Sequence, residues 1–185
     1  MKLKKANALS ALITMVLLLI HAGYQTIAYL LFYHNGTISS VLGTLITVAV
    51  ICHVLLSVII VLALHDSKTI SYPKQNSRLI LQRISAVGIA AHLLAHTGSF
   101  GRLMASFGTH VYVLTEIMQI VYFAFLFTHI GTSFTNALVT LGLLEDINKK
   151  KKIDIFLWVL FGIIFIGISI LIPTVHYKLF TQTLL

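Results

Sequence analysis

The feature that most constrains this chain is a run of 60 residues without a formal charge, between Lys5 and Asp66. A soluble protein cannot build a water-facing surface from such a run, whereas a bilayer needs about 20 apolar residues for each helical crossing. Only 10% of the 185 residues are charged, against about 25% in soluble domains. These values exclude a soluble enzyme, a disordered protein and, despite the formal net charge of +8, a nucleic-acid-binding domain. They predict an all-α integral membrane protein.

Turn signals and charged clusters divide the chain into five transmembrane helices within a single transmembrane domain. The segment His34-Asn35-Gly36 interrupts the uncharged run with a strong turn signal. The fourth span carries one charge, Glu116, and is too long for an upright crossing, so it is tilted or extends into water. The predicted spans are 8–32, 41–64, 78–98, 111–142 and 155–177. No internal repeat, low-complexity segment or soluble domain is evident.

The distribution of lysine and arginine predicts the orientation of the chain in the membrane. Positive residues gather before the first span, between the second and third, and between the fourth and fifth, whereas the other face holds only Arg102 and Lys178. The positive-inside rule therefore predicts a cytoplasmic N-terminus and an outer C-terminus. The residues predicted to be cytoplasmic are Lys2, Lys4, Lys5, Lys68, Lys74, Arg78 and Lys149–Lys152. We interpret the lysine run as a topology signal that contacts lipid head groups.

Nine histidines are a high number for such an apolar chain. Ionisable residues inside membrane spans are rare, costly and usually functional. Four histidines lie near span ends or in loops, where contact with water or head groups explains them: His34, His65, His110 and His176. The other five lie within predicted spans: His21, His53, His92, His96 and His129.

Depth along the predicted spans sorts four of these histidines into two levels. His21 and His96 lie in the outer halves of the first and third spans. His53 lies near the middle of the second span, and His129 lies in the inner half of the fourth. Two imidazoles on different helices at matched depth can occupy both axial positions of one haem iron. The spacing thus predicts an outer haem on His21 and His96 and an inner haem on His53 and His129.

Further polar residues near the outer level are candidates for a quinone site. Glu116 is the only carboxylate within a span, and Gln119 lies close to it. Gln25 lies one turn beyond the outer histidine of the first span. His92 lies four residues before His96 on the same helix face, so it is either an alternative ligand to His96 or a hydrogen-bonding group for a carbonyl, a propionate or a quinone. Hydrogen bonding between helices is the alternative role for the candidate quinone residues.

Short motifs around the histidines resemble the membrane-anchor cytochrome b of the succinate dehydrogenase and fumarate reductase family. The third span reads Gln82-Arg83-Ile84-Ser85-Ala86 before His96, and His129-Ile130-Gly131 precedes Val139-Thr140-Leu141-Gly142. The chain is most similar, over essentially its whole length, to the single-chain, five-helix, two-haem type of menaquinone-using bacteria. In that type a Gln-Arg pair opens the third helix, the ligand follows 13 residues after the Arg, and a Val-Thr-x-Gly-like segment follows the fourth ligand. The resemblance therefore implies His96 as ligand, and it pairs the first helix with the third and the second with the fourth.

The resemblance implies a di-haem cytochrome b anchor in the bacterial cytoplasmic membrane, whose first four helices form a bundle around two haem b groups. A flavoprotein carrying FAD and an iron–sulfur subunit would dock at the cytoplasmic face and exchange electrons with membrane menaquinone or another quinone. This chain would not carry out the succinate–fumarate chemistry, but at least part of the quinone site would lie on it. Arg83 and Ser85 would meet the inner-haem propionates or the iron–sulfur partner, although an arginine there is also a routine snorkelling anchor.

Two other functions fit the same pattern. One is the cytochrome b subunit of another quinone-linked oxidoreductase, of the hydrogenase or formate dehydrogenase type, which usually has fewer helices and a different ligand spacing. The other is a small proton-coupled transporter whose intramembrane histidines relay protons.

Overall fold

The computed structural model describes residues 2–31, 35–63, 76–96 and 109–182, without the side chains at positions 29, 94–96, 109–113, 115 and 175–182. Within these ranges the chain is helical apart from short turns, which confirms the predicted all-α fold. The five helices are α1 (Lys2–Leu31), α2 (Gly36–Ala63), α3 (Ser77–His96), α4 (Thr109–Leu141) and α5 (Ile147–Gln182).

Four of the helices are long and apolar enough to cross a membrane, so the chain is a multi-pass membrane protein. The four stretches are Lys2–Ala28, Gly36–Ala63, Glu116–Leu141 and Ile147–Thr174. Helix α3 is not among them, and its 20 residues include two arginines, a glutamine and two histidines. Large apolar side chains face outward along the helices, while Ser85 and Thr135 are fully buried. This arrangement is the reverse of a soluble core and suits a lipid environment.

The helices begin earlier than the predicted spans. Helix α5 starts at Ile147 rather than 155 and contains the Lys149–Lys152 run, which the sequence had placed between spans. Helix α1 starts at Lys2 rather than 8, and α2 at Gly36 rather than 41. An apolar pattern marks where the hydrocarbon begins, whereas lysine is a good helix former and continues a helix into water. At about 1.5 Å per residue, the 36 residues of α5 reach well beyond a core of about 30 Å.

The described chain forms two compact units. The first contains α1, α2 and the end of α4 (residues 134–146), and the second contains α3, the rest of α4 and α5.

In the first unit, Asn35 begins α2 and Tyr24 holds it in place. The Asn35 side-chain oxygen accepts hydrogen bonds from the backbone N–H groups of Thr37 (3.0 Å) and Ile38 (3.1 Å), as an N-cap residue does. The Tyr24 hydroxyl donates to the Asn35 carbonyl (3.0 Å) and accepts from its N–H (2.9 Å). The predicted Asn-Gly turn is therefore a helix start tied to α1.

Side chains connect α1 and α2 along their length. The Ser57 hydroxyl donates to the Asn7 side-chain oxygen (3.1 Å), and the Gln25 amide donates to the Ser39 hydroxyl (3.0 Å). Residue numbers in both pairs sum to 64, so the helices form an antiparallel hairpin of constant register.

Helix α4 ends within the first unit in a Schellman motif. The N–H of Gly142 donates to the carbonyl of Val139 (3.0 Å), and that of Leu143 donates to the carbonyl of Leu138 (2.9 Å). Gly142 has φ of 77°, a conformation that glycine adopts without a Cβ clash. The Val-Thr-x-Gly segment on which the resemblance partly rests therefore terminates a helix.

In the second unit, aromatic rings pack against glycines. A Cβ at Gly88 of α3 would lie 2.4 Å from the ring of Phe125 on α4, and one at Gly131 would lie 3.2 Å from Trp158 on α5. The rings of Phe127 and Phe161 stack with centroids 5.2 Å apart. These glycines allow α4 to approach both of its neighbours in this unit.

Arg78, at the start of α3, joins the three helices of the second unit. Its guanidinium binds both carboxylate oxygens of Asp154 on α5, at 2.7 and 2.9 Å. It also donates to the backbone carbonyls of Thr132 (2.8 Å) and Gly131 (3.2 Å) on α4. Lys150 contacts the same carboxylate at 3.1 Å.

Candidate functional site

His53, in the first unit, is half-buried and oriented by a serine of the neighbouring helix. Its Nδ1 lies 3.2 Å from the Ser10 hydroxyl oxygen, and that hydroxyl donates its hydrogen to the carbonyl of Asn7 (2.9 Å). The Ser10 hydroxyl therefore links the Asn7 carbonyl of α1 to Nδ1 of His53 on α2 and orients the imidazole ring.

His129, in the second unit, is oriented in the same way. Its Nδ1 lies 3.1 Å from the carbonyl oxygen of Gln82 and 3.4 Å from the Ser85 hydroxyl. The Ser85 hydroxyl donates to that same carbonyl at 2.9 Å. Since a carbonyl can only accept, His129 is protonated on Nδ1.

The hydrogen bonds of the first unit measure the axial spacing of its two histidines. The contact between Ser10 and His53 places these residues at one height on the α1–α2 hairpin. His21 lies 11 residues after Ser10, which is about 16 Å along α1. His21 and His53 therefore stand at two separate heights on the hairpin.

The second unit has a similar spacing. His129 stands level with Gln82 and Ser85. His96 is the last residue of α3. It lies 14 residues after Gln82 and 11 after Ser85, or about 21 and 16 Å along the helix, and His92 lies 10 and 7 residues after the same two residues, or about 15 and 10 Å. The distance along α3 from the height of His129 to either histidine therefore differs by no more than about one helical turn from the 16 Å between His21 and His53.

The two outer histidines differ in what the structure describes. His21 is half-buried, and its Nδ1 is buried without a hydrogen-bond partner among the described residues. The side chain of His96 lies outside the described residues, and so do those of four further histidines and four positive residues named above: His34, His65, His110, His176, Lys68, Lys74, Arg102 and Lys178.

His92 has neighbours of its own within the second unit. Its Nδ1 donates to the Gly88 carbonyl one turn earlier at 2.8 Å. Its ring lies 5.6 Å from that of Phe125, tilted by 41°. This hydrogen bond to a carbonyl was predicted for His92, and because it engages Nδ1, as in His129, it does not distinguish His92 from His96 as a ligand.

The candidate quinone residues lie in separate units. Gln25, in the first unit, bonds Ser39 and joins α1 to α2. In the second unit Glu116 is buried, with 7% of its surface exposed, and Gln119 on the following turn is half-buried. A buried carboxylate in a membrane helix suits a proton-handling role.

The two residues predicted at the cytoplasmic end, Arg83 and Ser85, differ sharply in solvent exposure. Arg83 is exposed and remains a candidate contact for a propionate or a partner. Ser85 is fully buried beside His129. Ser10 and the Gln82 carbonyl were not predicted as neighbours of the histidines, although a serine on an adjacent span at matching depth is a usable sequence signal.

Comparison of the chain with family models, with curated proteins and with solved structures finds no match. Among the described residues there is no group of three or more His, Cys, Asp or Glu side chains that could hold a bare metal ion. A haem iron needs only two protein ligands, because the macrocycle supplies four nitrogens.

Proposed function

We propose that this chain is the di-haem cytochrome b membrane anchor of a succinate dehydrogenase or fumarate reductase-type complex. It would bind two haem b groups, dock a flavoprotein with FAD and an iron–sulfur subunit at the cytoplasmic face, and exchange electrons with menaquinone. The proposal includes a bacterial cytoplasmic membrane and a cytoplasmic N-terminus, from the positive-inside rule.

The observation that carries the proposal is the matched spacing of histidines in the two units. On the α1–α2 hairpin, His21 and His53 stand about 16 Å apart along the helix axis. Two histidines that held one haem would have to stand at nearly the same height. One hairpin therefore cannot supply both ligands of a haem, and His21 and His53 would serve different haems.

The hydrogen bonds of the inner histidines add support. Metal-bound histidines almost always donate their other ring N–H to an oxygen atom. His129 has this arrangement through the Gln82 carbonyl, and Nδ1 of His53 lies 3.2 Å from the Ser10 hydroxyl oxygen. These residues fit a haem, which when bound would supply one-electron redox chemistry.

The chain's other residues would position the complex and handle protons. Quinone reduction consumes two protons, and the buried Glu116 would hold or transfer one of them at the outer level. Arg83 would face the iron–sulfur subunit at the cytoplasmic end. Electron transfer between the two faces would move charge across the membrane, at ~2.3 kcal/mol per charge per 100 mV.

Optical spectra of the purified full chain and its histidine variants test the proposal. We expect two low-spin b-type haems per chain. His53→Ala and His129→Ala should lose the inner haem, whereas His21→Ala and His96→Ala should lose the outer one. Absence of b-type absorption in the membrane-inserted chain would reject the proposal and favour a proton-relaying transporter.

His92→Ala is the matched control, since it removes an imidazole one turn from His96. We expect it to retain both haems. Loss of the outer haem in this variant, with retention in His96→Ala, would transfer the ligand assignment to His92. Co-purification of a flavoprotein that oxidises succinate or reduces fumarate would separate the proposal from a hydrogenase or formate dehydrogenase subunit.

A further inference from the structure

The side of α4 that carries Glu116 packs against α5 within the second unit. The rings of Phe127 and Phe161 stack with centroids 5.2 Å apart, and a Cβ at Gly131 would lie 3.2 Å from Trp158. The two contacts follow opposite chain directions, so α4 and α5 are antiparallel. Glu116 lies 11 residues before Phe127, which is about three helical turns. It therefore lies on the same side of α4 as Phe127, the side that faces α5.

The same register identifies the part of α5 that stands level with Glu116. Ile172 lies 11 residues after Phe161, again about three turns, so it lies on the side of α5 that faces α4. Pro173 follows it, and both residues are half-buried. The buried carboxyl group of Glu116 thus stands level with the one proline of α5.

Ser169, one turn before Pro173, has two polar groups that lack their usual helical partners. Its Oγ is buried without a hydrogen-bond partner among the described residues. A hydroxyl in a helix ordinarily donates to a carbonyl of the preceding turn, as Thr174 does to Ile170 at 2.7 Å. Pro173 has no N–H, so the Ser169 carbonyl does not receive its ordinary bond from four residues later. Ser169 lies 11 residues after Trp158, so its side chain also faces α4.

These groups provide the hydrogen bonds that a water molecule needs. Proline is tolerated inside membrane helices where side chains or ordered waters satisfy the carbonyl it leaves, and a buried water typically makes about three hydrogen bonds. Ser169 offers a hydroxyl donor and a carbonyl acceptor. The carboxyl group of Glu116 stands about one turn further along the axis, or about 5 Å. Two hydrogen bonds of about 2.8 Å through one water cover such a distance.

The position of this site gives it access to bulk water. Glu116 is the first residue of the apolar stretch of α4, and Pro173 is the last but one of the stretch of α5. Both residues therefore lie where the hydrocarbon ends, at the opposite end of the unit from Arg78. A proton has only a short distance to travel between this end of the membrane and Glu116.

We propose that Ser169 and Pro173 form a water-binding site between α4 and α5, through which Glu116 exchanges protons with the aqueous phase. The water accepts the hydrogen of the Ser169 hydroxyl, donates one hydrogen to the Ser169 carbonyl and directs the other towards Glu116. The use of these protons in quinone chemistry rests on the proposed function, whereas the water site does not. When Glu116 gives its proton to a reduced quinone oxygen, its carboxylate takes one from the bound water, which takes one from the aqueous phase.

Water-edited solid-state NMR of the isotope-labelled full chain in lipid tests the water site. We expect magnetisation transfer from water to residue 169. Ser169→Ala removes the hydroxyl, and Pro173→Ala supplies an N–H to the Ser169 carbonyl. Each variant should reduce the transfer about 2- to 10-fold, the effect of one lost hydrogen bond. Thr174→Val is the matched control and should change nothing, because that hydroxyl bonds a carbonyl of its own helix.

Absence of transfer at residue 169 in the unmodified chain, or equal transfer in all variants, would overturn the water site whatever the function of the chain. Hydrogen–deuterium exchange tests the link to Glu116, by infrared spectra of the carboxylic acid band that Glu116→Gln removes, recorded after acidification until that band appears. Exchange should be slower in Ser169→Ala and Pro173→Ala by a similar factor. Equal exchange in every variant would overturn the link to Glu116.

The assembled complex separates this inference from the proposed function. Ser169→Ala and Pro173→Ala should slow quinone-linked turnover by a similar factor and leave dye-linked activity unchanged. A chain without any quinone-linked activity would overturn the proposed function, and the NMR result would still decide the water site. Full quinone-linked turnover in both variants, with the water lost, would refute a role of that water in quinone chemistry.

Discussion

Asp154→Asn should destabilise the second unit measurably, because Asp154 is the anionic centre of the contact that joins α3 to α5. The Arg78 guanidinium binds it with two short hydrogen bonds. The side chains of Arg78 and Asp154 are 34% and 16% exposed. Exposed ion pairs contribute about 0–1 kcal/mol, and breaking a buried pair costs about 3–5 kcal/mol. The free-energy contribution of this partly exposed, bidentate pair should lie between those limits.

We expect Asp154→Asn to lower the free energy of unfolding by about 2 kcal/mol, which is up to about 30-fold in the unfolding equilibrium. Solvent screens part of the guanidinium charge. Arg78 also keeps its bonds to the carbonyls of Gly131 and Thr132, so the loss stays below the buried limit. The remaining Arg78 and Lys150 cations then repel each other without the carboxylate between them.

Unfolding in mixed detergent micelles, measured by circular dichroism, would provide the assay. A double-mutant cycle with Arg78→Gln isolates the pairwise coupling energy. Lys150→Gln is the matched control, because Lys150 contacts the same carboxylate from within α5 through one hydrogen bond of 3.1 Å and does not join two helices. A coupling energy below about 0.5 kcal/mol, or equal losses from Asp154→Asn and Lys150→Gln, would refute the reasoning.

Three further predictions concern single positions. Gly88→Ala should cost about 1–3 kcal/mol of stability through overpacking, because its Cβ would lie 2.4 Å from the Phe125 ring. A second substitution, Phe125→Leu, should relieve this loss. The control is Gly43→Ala, whose Cβ meets nothing within 4 Å and which should leave the free energy of unfolding unchanged or raise it. Gly142→Ala should cost about 1–2 kcal/mol in the same unfolding assay, because φ of 77° is unfavourable for a residue with a Cβ; no loss would mean that the turn relaxes. Glu116→Gln should slow quinone-linked turnover while haem spectra and dye-linked activity persist, and unchanged quinone kinetics would exclude Glu116 as the proton group.

The fold was predictable because membrane spans leave a strong signal in charge and hydropathy. Four of the five predicted spans correspond to helices that can cross a bilayer. The helix starts were not predictable from the same signal. Lys149–Lys152 extend α5 into water, and hydropathy does not indicate where a helix begins outside the hydrocarbon core.

The positions of the histidines along their helices were readable from the sequence, but their surroundings were not. Counting residues predicts His129 in the inner half of its span, and in the structure it stands level with Gln82 and Ser85. Whether Ser85 faces a histidine or a solvent-exposed end depends on the rotation of α3 about its axis. The helix has apolar residues on most of its circumference, so its sequence carries little information on that rotation. The contact between Arg78 and Asp154 was not predictable for the same reason, because it depends on the rotation of both helices. Opposite charges at matching ends of two spans were the only sequence signal for it.

The early start of α5 also limits how that helix can move. Lys149, Lys151 and Lys152 are exposed, and drawing one charged lysine to the bilayer centre costs about 2.5–3.5 kcal/mol. Sliding inward would therefore be opposed by several kcal/mol, while Asp154 opposes rotation through its contact with Arg78. Helix α5 is therefore held at one depth in the membrane, and its contacts hold the other two helices of its unit at fixed heights relative to it.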